Sequence, residues 1–181
     1  FMMAPRHHAA MRNVAGPRVE LGTRTIFNIL GPLTNPAMVT RQLVGAFAER
    51  WIEPMAATLG NLGSTRAWVV SGSDGMDEIT TTGPTAVAEL RAREPRILGR
   101  DGEAADAPVV QLADLKGGTP AENGAAIMAL LGGKAGAFRD IVLLNAAAAL
   151  IVAGKAGSLR EGAQMAVQSI DSGAAMATLS Q

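Results

Sequence analysis

The sequence predicts an α/β domain built on a largely parallel sheet flanked by helices. First, the runs Gln42 to Phe47, Arg66 to Ser71 and Thr85 to Arg91 read as strands, and helical stretches occur among them. Second, Trp68-Val69-Val70 is continuously apolar and enters the Gly-rich turn at Gly72, the pattern of a strand buried on both faces. Third, 48% of the 181 residues are apolar and spread along the chain, enough for one domain with a sizeable core. No internal repeat or low-complexity tract interrupts that distribution.

Taken in order, His8 to Leu21 reads as helical, with Gly22 as its stop. Gly16-Pro17 breaks or restarts it and places Arg18 in the first turn of a second short helix. Thr25 to Leu30 reads as a helix turn with Thr25 near its cap, although a short apolar run also suits a strand. A strand follows at Gln42 to Phe47, and then a helix from Trp51 to Leu62. Residues 95 to 120 mix Pro, Gly and charge, and read as loop with one short strand. Three helices close the chain: Ala121 to Leu131, Ala137 to Ala153 and Ser158 to Ser172. Ser158-Leu-Arg-Glu161 has capping-box spacing, and Gly173 suits the helix end.

Lys plus Arg and Asp plus Glu each number 16, so the net charge is zero. A general nucleic-acid or membrane-surface binder shows a basic excess instead. The chain has no cysteine, which excludes disulfides and Cys-based zinc sites and is compatible with a cytosolic protein. The most apolar run, Ile141 to Ala153, falls short of the roughly 18 residues that suggest a membrane span. It reads as a helix buried on most of its surface. Phe1-Met-Met-Ala-Pro5 is too short for a secretory signal and is followed by Arg6.

Two stretches carry the chemistry. Thr23 to Pro36 enters apolar and leaves through Gly31-Pro32 and Asn35-Pro36, two corners that fix the backbone and suit one wall of a pocket. Gly72-Ser-Asp-Gly-Met-Asp-Glu78 follows the buried strand, and ligands gather beyond the carboxyl ends of such strands. Asp74 reads as a shaper of this turn. Asp77 and Glu78 are either solvated turn carboxylates or paired hard ligands for Mg²⁺. Asn145, an amide in an apolar helix, is expected to satisfy a buried backbone group, and Asn123 is also read as structural. His7 and His8 are adjacent, a poor spacing for zinc on a helix face.

The Thr23 to Pro36 stretch, with Phe1-Met-Met-Ala-Pro5, His8-Ala-Ala-Met11 and Asn13-Val14 before it, resembles the anthranilate phosphoribosyltransferases of tryptophan biosynthesis. The likeness continues through Gln42-Leu-Val-Gly45, Asp74-Gly-Met-Asp-Glu78, Gly83-Pro-Thr85, Arg139 to Ala146 and Ser158 to Gly162. The resemblance implies the C-terminal part of a nucleoside phosphorylase/phosphoribosyltransferase-like α/β domain. Residues 1–181 would form a partial domain, lacking the family's N-terminal helical domain and its Gly-Thr-Gly-Gly-Asp loop.

It further implies phosphoribosyl transfer from phosphoribosyl pyrophosphate to the amine of anthranilate, in the cytoplasm, by a homodimer when the enzyme is complete. Neither nucleic acid nor membrane would be a partner. By resemblance Arg18 binds the anthranilate carboxylate, although the family's Ala-Pro-Val-Arg reads Ala15-Gly-Pro-Arg18 here. His8, Gly31 and Pro32 wall the acceptor pocket, and Asp77 with Glu78 hold Mg²⁺. The rival readings are a pyrimidine nucleoside phosphorylase-like enzyme, a non-catalytic nucleic-acid-binding relative, and a segment without function on its own.

Overall fold

A computed structural model describes residues 7, 9–92, 94–99 and 108–181. The described chain is a three-layer arrangement, with one helix on one face of a four-stranded sheet and a helical pair on the other. It begins with a 3₁₀ turn at Ala9–Val14, then α1 (Ala15–Leu21) and α2 (Phe27–Leu33). Strand β1 (Arg41–Gly45) leads through a 3₁₀ turn into α3 (Ile52–Asn61) and back to β2 (Arg66–Gly72). Strands β3 (Thr85–Arg91) and β4 (Glu94–Gly99) follow. A 3₁₀ turn at Leu112–Leu115 precedes the helices α4 (Pro120–Leu131), α5 (Ala137–Ala153), α6 (Leu159–Asp171) and α7 (Ala174–Leu179).

The sheet order is β1-β2-β3-β4. Among the described residues only β1 and β2 run parallel; β2–β3 and β3–β4 are antiparallel. The α/β class with flanking helices holds, but the described sheet is mixed rather than largely parallel. The connections explain the directions. α3 supplies the crossover that a parallel pair needs, whereas residues 73–84 carry no helix and return the chain antiparallel.

Each face of the sheet buries one core. α3 turns Ile52, Met55, Ala56 and Leu59 inward at helical spacing onto Val44, Ala67, Val69, Ala88 and Leu90. On the opposite face, α5 packs Leu144, Ala147, Ala148 and Ile151 onto Trp68, Val70 and Val87, and Leu159 of α6 joins this core. The alternation of β2 and β3 side chains between these two cores explains why both strands read as nearly continuous apolar runs.

One charge is built into that packing. Glu89 is only 3% exposed, on β3. Trp68 Nε1 donates to its Oε1 (3.2 Å), and the Arg96 guanidinium donates to its Oε2 from Nε (2.8 Å) and Nη2. Burial opposes the charge, but the hydrogen bonds from Arg96 and Trp68 hold the carboxyl below its ordinary pKa.

Helix ends follow local chemistry. Thr119 and Glu122 form a reciprocal capping box at α4. At α6 the expected box is half made: Ser158 Oγ accepts from Glu161 N–H, while the Glu161 carboxylate takes the Gly157 N–H instead. Gly173 ends α6 as expected, and its left-handed backbone (φ 79°) starts a further short helix, α7, beyond the three that the sequence predicts.

Candidate functional site

The carboxyl end of β2 opens into the loop 73–84, which leaves Asp77 and Glu78 among its exposed residues. Asp74 is the organising residue. Its Oδ1 accepts from the Met76 N–H (3.0 Å), and its Oδ2 accepts from the hydroxyls of Thr80 and Thr82 (2.6 Å each). Burial works against its charge, yet these bonds hold its carboxyl below the ordinary pKa. The expected turn-shaping role of Asp74 is what the geometry shows.

Outside contacts fix the rest of the loop. Asn145 of α5 accepts the Ile79 N–H through Oδ1 (3.0 Å) and donates through Nδ2 to the Ile79 carbonyl (2.8 Å) and its own helix's Ile141 carbonyl (2.9 Å). The buried backbone group expected for Asn145 is therefore Ile79. From β1, Gly45 lies so close that a Cβ there would overlap the Asp77 carbonyl oxygen and sit 2.7 Å from its carbon. The loop needs a residue without a side chain at that point.

Asp77 and Glu78 are exposed and, among the described residues, accept no hydrogen bond and form no ion pair. Although the residue is exposed overall, partial desolvation of its carboxyl, with repulsion from Asp77 and Asp74, pushes Glu78 above its ordinary pKa. No cluster of three or more His, Cys, Asp or Glu residues suited to a metal occurs among the described residues. Two adjacent carboxylates without partners nonetheless fit Mg²⁺. This ion takes one or two protein carboxylates and completes its octahedron with water and substrate phosphate. A cleft of about 440 Å³ beside this loop is lined by Met76, Leu112, Ala113, Leu115 and Lys116. Sequence reading passed over Lys116, since a lone lysine in a loop carries no pattern.

The residues expected on the acceptor side, Arg18, Gly31 and Pro32, lie on α1 and α2. Arg18 is half-buried in α1, and its carbonyl accepts the Gly22 N–H that ends the helix in a left-handed turn (φ 57°). The Arg18 side chain makes no hydrogen bond or ion pair among the described residues. Pro17 lies in the first turn, where its missing N–H costs no helical bond. Gly31 and Pro32 do not form the expected corner. They are the closing residues of α2, where the Gly31 carbonyl accepts the Thr34 N–H at 3.2 Å. Pro32 lies inside this last turn, where it forgoes the helical bond to the Asn28 carbonyl, and the helix ends one residue later. A Cβ at Gly31 would meet no atom within 4 Å, so nothing close demands a glycine there. The Asn35-Pro36 corner is a turn as expected, with Asn35 accepting the Ala37 and Met38 N–H groups. The expectations for His8 and for Phe1 to Pro5 lie outside the described residues.

At the start of α2, Thr25 lies next to the cap as expected: Ile26 is the N-cap residue, the Thr25 N–H donates to the Asn28 side chain (2.8 Å), and its carbonyl accepts the Asn28 N–H (3.0 Å). Between α2 and α3 a cleft of about 510 Å³ is lined by Ile29, Leu33, Phe47 and Trp51 among others. The Arg24 guanidinium closes one side, 4.4 Å above the Phe47 ring and donating to the Phe47 carbonyl.

With this geometry the chain belongs to the glycosyl transferase family, a/b domain, whose family model matches residues 1–176. The curated anthranilate phosphoribosyltransferase of Paramagnetospirillum magneticum is 62% identical over 179 residues, 99% of this chain and 52% of that protein. Among solved structures, the anthranilate phosphoribosyltransferase of Thermus thermophilus is 42% identical with a TM-score of 0.84, covering 96% of this chain and 51% of that one. The Saccharomyces cerevisiae enzyme in complex with PRPP and Mg is 27% identical with a TM-score of 0.84, over 99% of this chain and 51% of that one. The same yeast enzyme with 4-fluoroanthranilate is 25% identical with a TM-score of 0.89, over 99% and 52%. The chain spans about half the length of the curated relatives it matches. No helix among the described residues is long and apolar enough to cross a membrane.

Proposed function

We propose that this chain serves anthranilate phosphoribosyl transfer, carrying the magnesium side and part of the acceptor side of the site. The observation that carries the reading is the Asp77–Glu78 pair, held without partners on a braced loop at the carboxyl end of β2. Relatives that bind PRPP with Mg and a fluorinated anthranilate support the substrate pair.

In the proposed reaction the anthranilate nitrogen forms a bond to C1 of the phosphoribosyl group. The C1–O bond to pyrophosphate breaks with its electron pair, and the nitrogen gives up a proton. The work left to the protein is placement and exclusion of water. The Arg18 guanidinium grips the acceptor carboxylate through two parallel hydrogen bonds, and His8, Gly31 and Pro32 shape the surrounding wall. Asp77 and Glu78 hold Mg²⁺, which when bound neutralises charge on the pyrophosphate leaving group. A partial α/β domain at residues 1–181, a cytoplasmic setting and a homodimer of the complete enzyme belong to the same proposal.

The test follows anthranilate fluorescence after addition of PRPP and Mg²⁺, with the remaining half of a relative supplied. Product formation supports the reading; silence in an assembled mixture refutes it. Arg18→Ala removes charged hydrogen bonds worth roughly 1.5–3 kcal/mol, so the anthranilate KM should rise about 10- to 100-fold. Unchanged kinetics would take Arg18 out of the site.

A further inference from the structure

The two peptide units flanking Glu78 are each held from outside the loop, by different elements. The unit between Asp77 and Glu78 presents its carbonyl to Gly45 of β1, at a separation that admits no side chain. The unit between Glu78 and Ile79 presents its N–H to Asn145 Oδ1, and the next carbonyl receives Asn145 Nδ2. Asn145 therefore treats Ile79 as a neighbouring strand would, with one donor and one acceptor. A third bond, to Ile141 within α5, fixes the amide's own orientation.

Backbone restraint on both sides of a residue sets the direction of its Cα–Cβ bond. Glu78 thus receives its aim from the sheet and from α5, and Asp77 from its contact with Gly45 and from the Met76 carbonyl, which accepts the Gly72 N–H (2.9 Å). The neighbouring Asp74 bonds to Met76, Thr80 and Thr82, closing the loop upon itself without touching either carboxylate. We infer that Asn145 is a positioning residue for the cation site, locking the Glu78–Ile79 peptide so that the Asp77 and Glu78 carboxylates are presented together. This inference rests on the proposed magnesium role of that pair. In its absence the like-charged carboxylates, already repelling, would be free to swing apart.

The chain contains its own control. Asn123 clamps Gly118 in the same way, accepting its N–H through Oδ1 (2.8 Å) and donating Nδ2 to its carbonyl (3.2 Å). Removing that clamp removes the same kinds of bond, but on a backbone that leads into α4.

The experiment titrates the chain with Mn²⁺, which shares the oxygen-ligand preference of Mg²⁺ and is read by water-proton relaxation. Groups that orient metal ligands typically contribute 10- to 100-fold to affinity, so Asn145→Leu should raise the Mn²⁺ Kd about tenfold or more. Amide exchange at Ile79 should quicken in the same variant. Asn123→Leu should leave the Kd within about twofold of the parent. If the leucine variant does not fold, Asn145→Ser, which leaves the Ile79 backbone unclamped, should show the same direction of change.

An unchanged Kd in a folded Asn145 variant overturns the inference. So does an equal loss in the Asn145 and Asn123 variants, which would mean general loosening. Equal Mn²⁺ binding by the parent and by the Asp77→Asn, Glu78→Gln double variant instead removes the metal reading itself, and the inference with it.

Discussion

Replacing Gly45 by alanine should be among the most damaging single changes of one methyl group in this chain. The new Cβ would overlap the Asp77 carbonyl oxygen, and would lie 2.7 Å from its carbon and 2.9 Å from the Asp77 Cβ. Carbon atoms rest at about 3.5–4.0 Å, so a displacement on the order of 1 Å is required. Neither side yields easily. Gly45 is paired with Val70 in the parallel ladder, and the loop is anchored two residues later at Asn145. Overpacking typically costs about 1–3 kcal/mol, and a clash of backbone on both sides belongs near 3. At roughly 2–4 °C per kcal/mol for a chain of this size, Tm should fall by about 6–12 °C. Calorimetry or dichroism measures this directly. A Tm within about 2 °C of the parent, with Asp77 and Ile79 amide shifts unmoved, would refute the close approach of β1 and the loop.

Gly162 of α6 lies against Ala147 of α5, with an added Cβ only 2.7 Å from the Ala147 Cα, so Gly162→Ala should part the helices and lower Tm by several degrees. Glu89 and Asp74 both ionise below their ordinary values of 4.5 and 3.8. The stability they contribute is fully present above those ordinary values and is lost as pH falls through the lower folded ones. The chain should therefore weaken in acid, and Glu89→Gln should flatten the fall of Tm as pH drops below 4.5; superimposable curves would count against the pairing of buried Glu89 with Arg96. Glu78 behaves in the opposite sense. Its raised folded pKa makes ionisation costly, a penalty absent below 4.5 and complete above the folded value. Without cation, Glu78→Gln should raise Tm at about pH 7 and leave it unchanged at acid pH, as thermal scans at both pH values would show.

Much of this was legible from residue pattern because the pattern reflects burial. The α5 boundaries matched Ala137 to Ala153 because Gly136 and Gly154 bracket a stretch that is apolar apart from Arg139 and Asp140 in its first turn and Asn145. Asn145 and Asp74 were read correctly, since an amide in an apolar helix and an aspartate in a Gly-rich turn each imply a backbone partner. Strand direction was not legible in the same way, because apolar continuity looks alike in parallel and antiparallel buried strands. The missing signal was the connection. Residues 73–84 contain no helical stretch, and a parallel return from β2 to β3 would have needed one. Gly31-Pro32 misled for a related reason. A proline that ends a helix and one that opens a corner share the same sequence, and only α2's length separates them.

The two halves of the proposed site rest on ground of very different strength. α1 and α2, which carry Arg18, Gly31 and Pro32, contain no buried residue, whereas the acidic loop hangs between β1, β2 and α5. Segments with little buried apolar contact open in sub-global steps at low free energy while the core stays closed. In this chain the two kinds of recognition should therefore have separate melting points. On warming, grip on the aromatic acid should fade first, and the cation should remain bound until the sheet itself gives way.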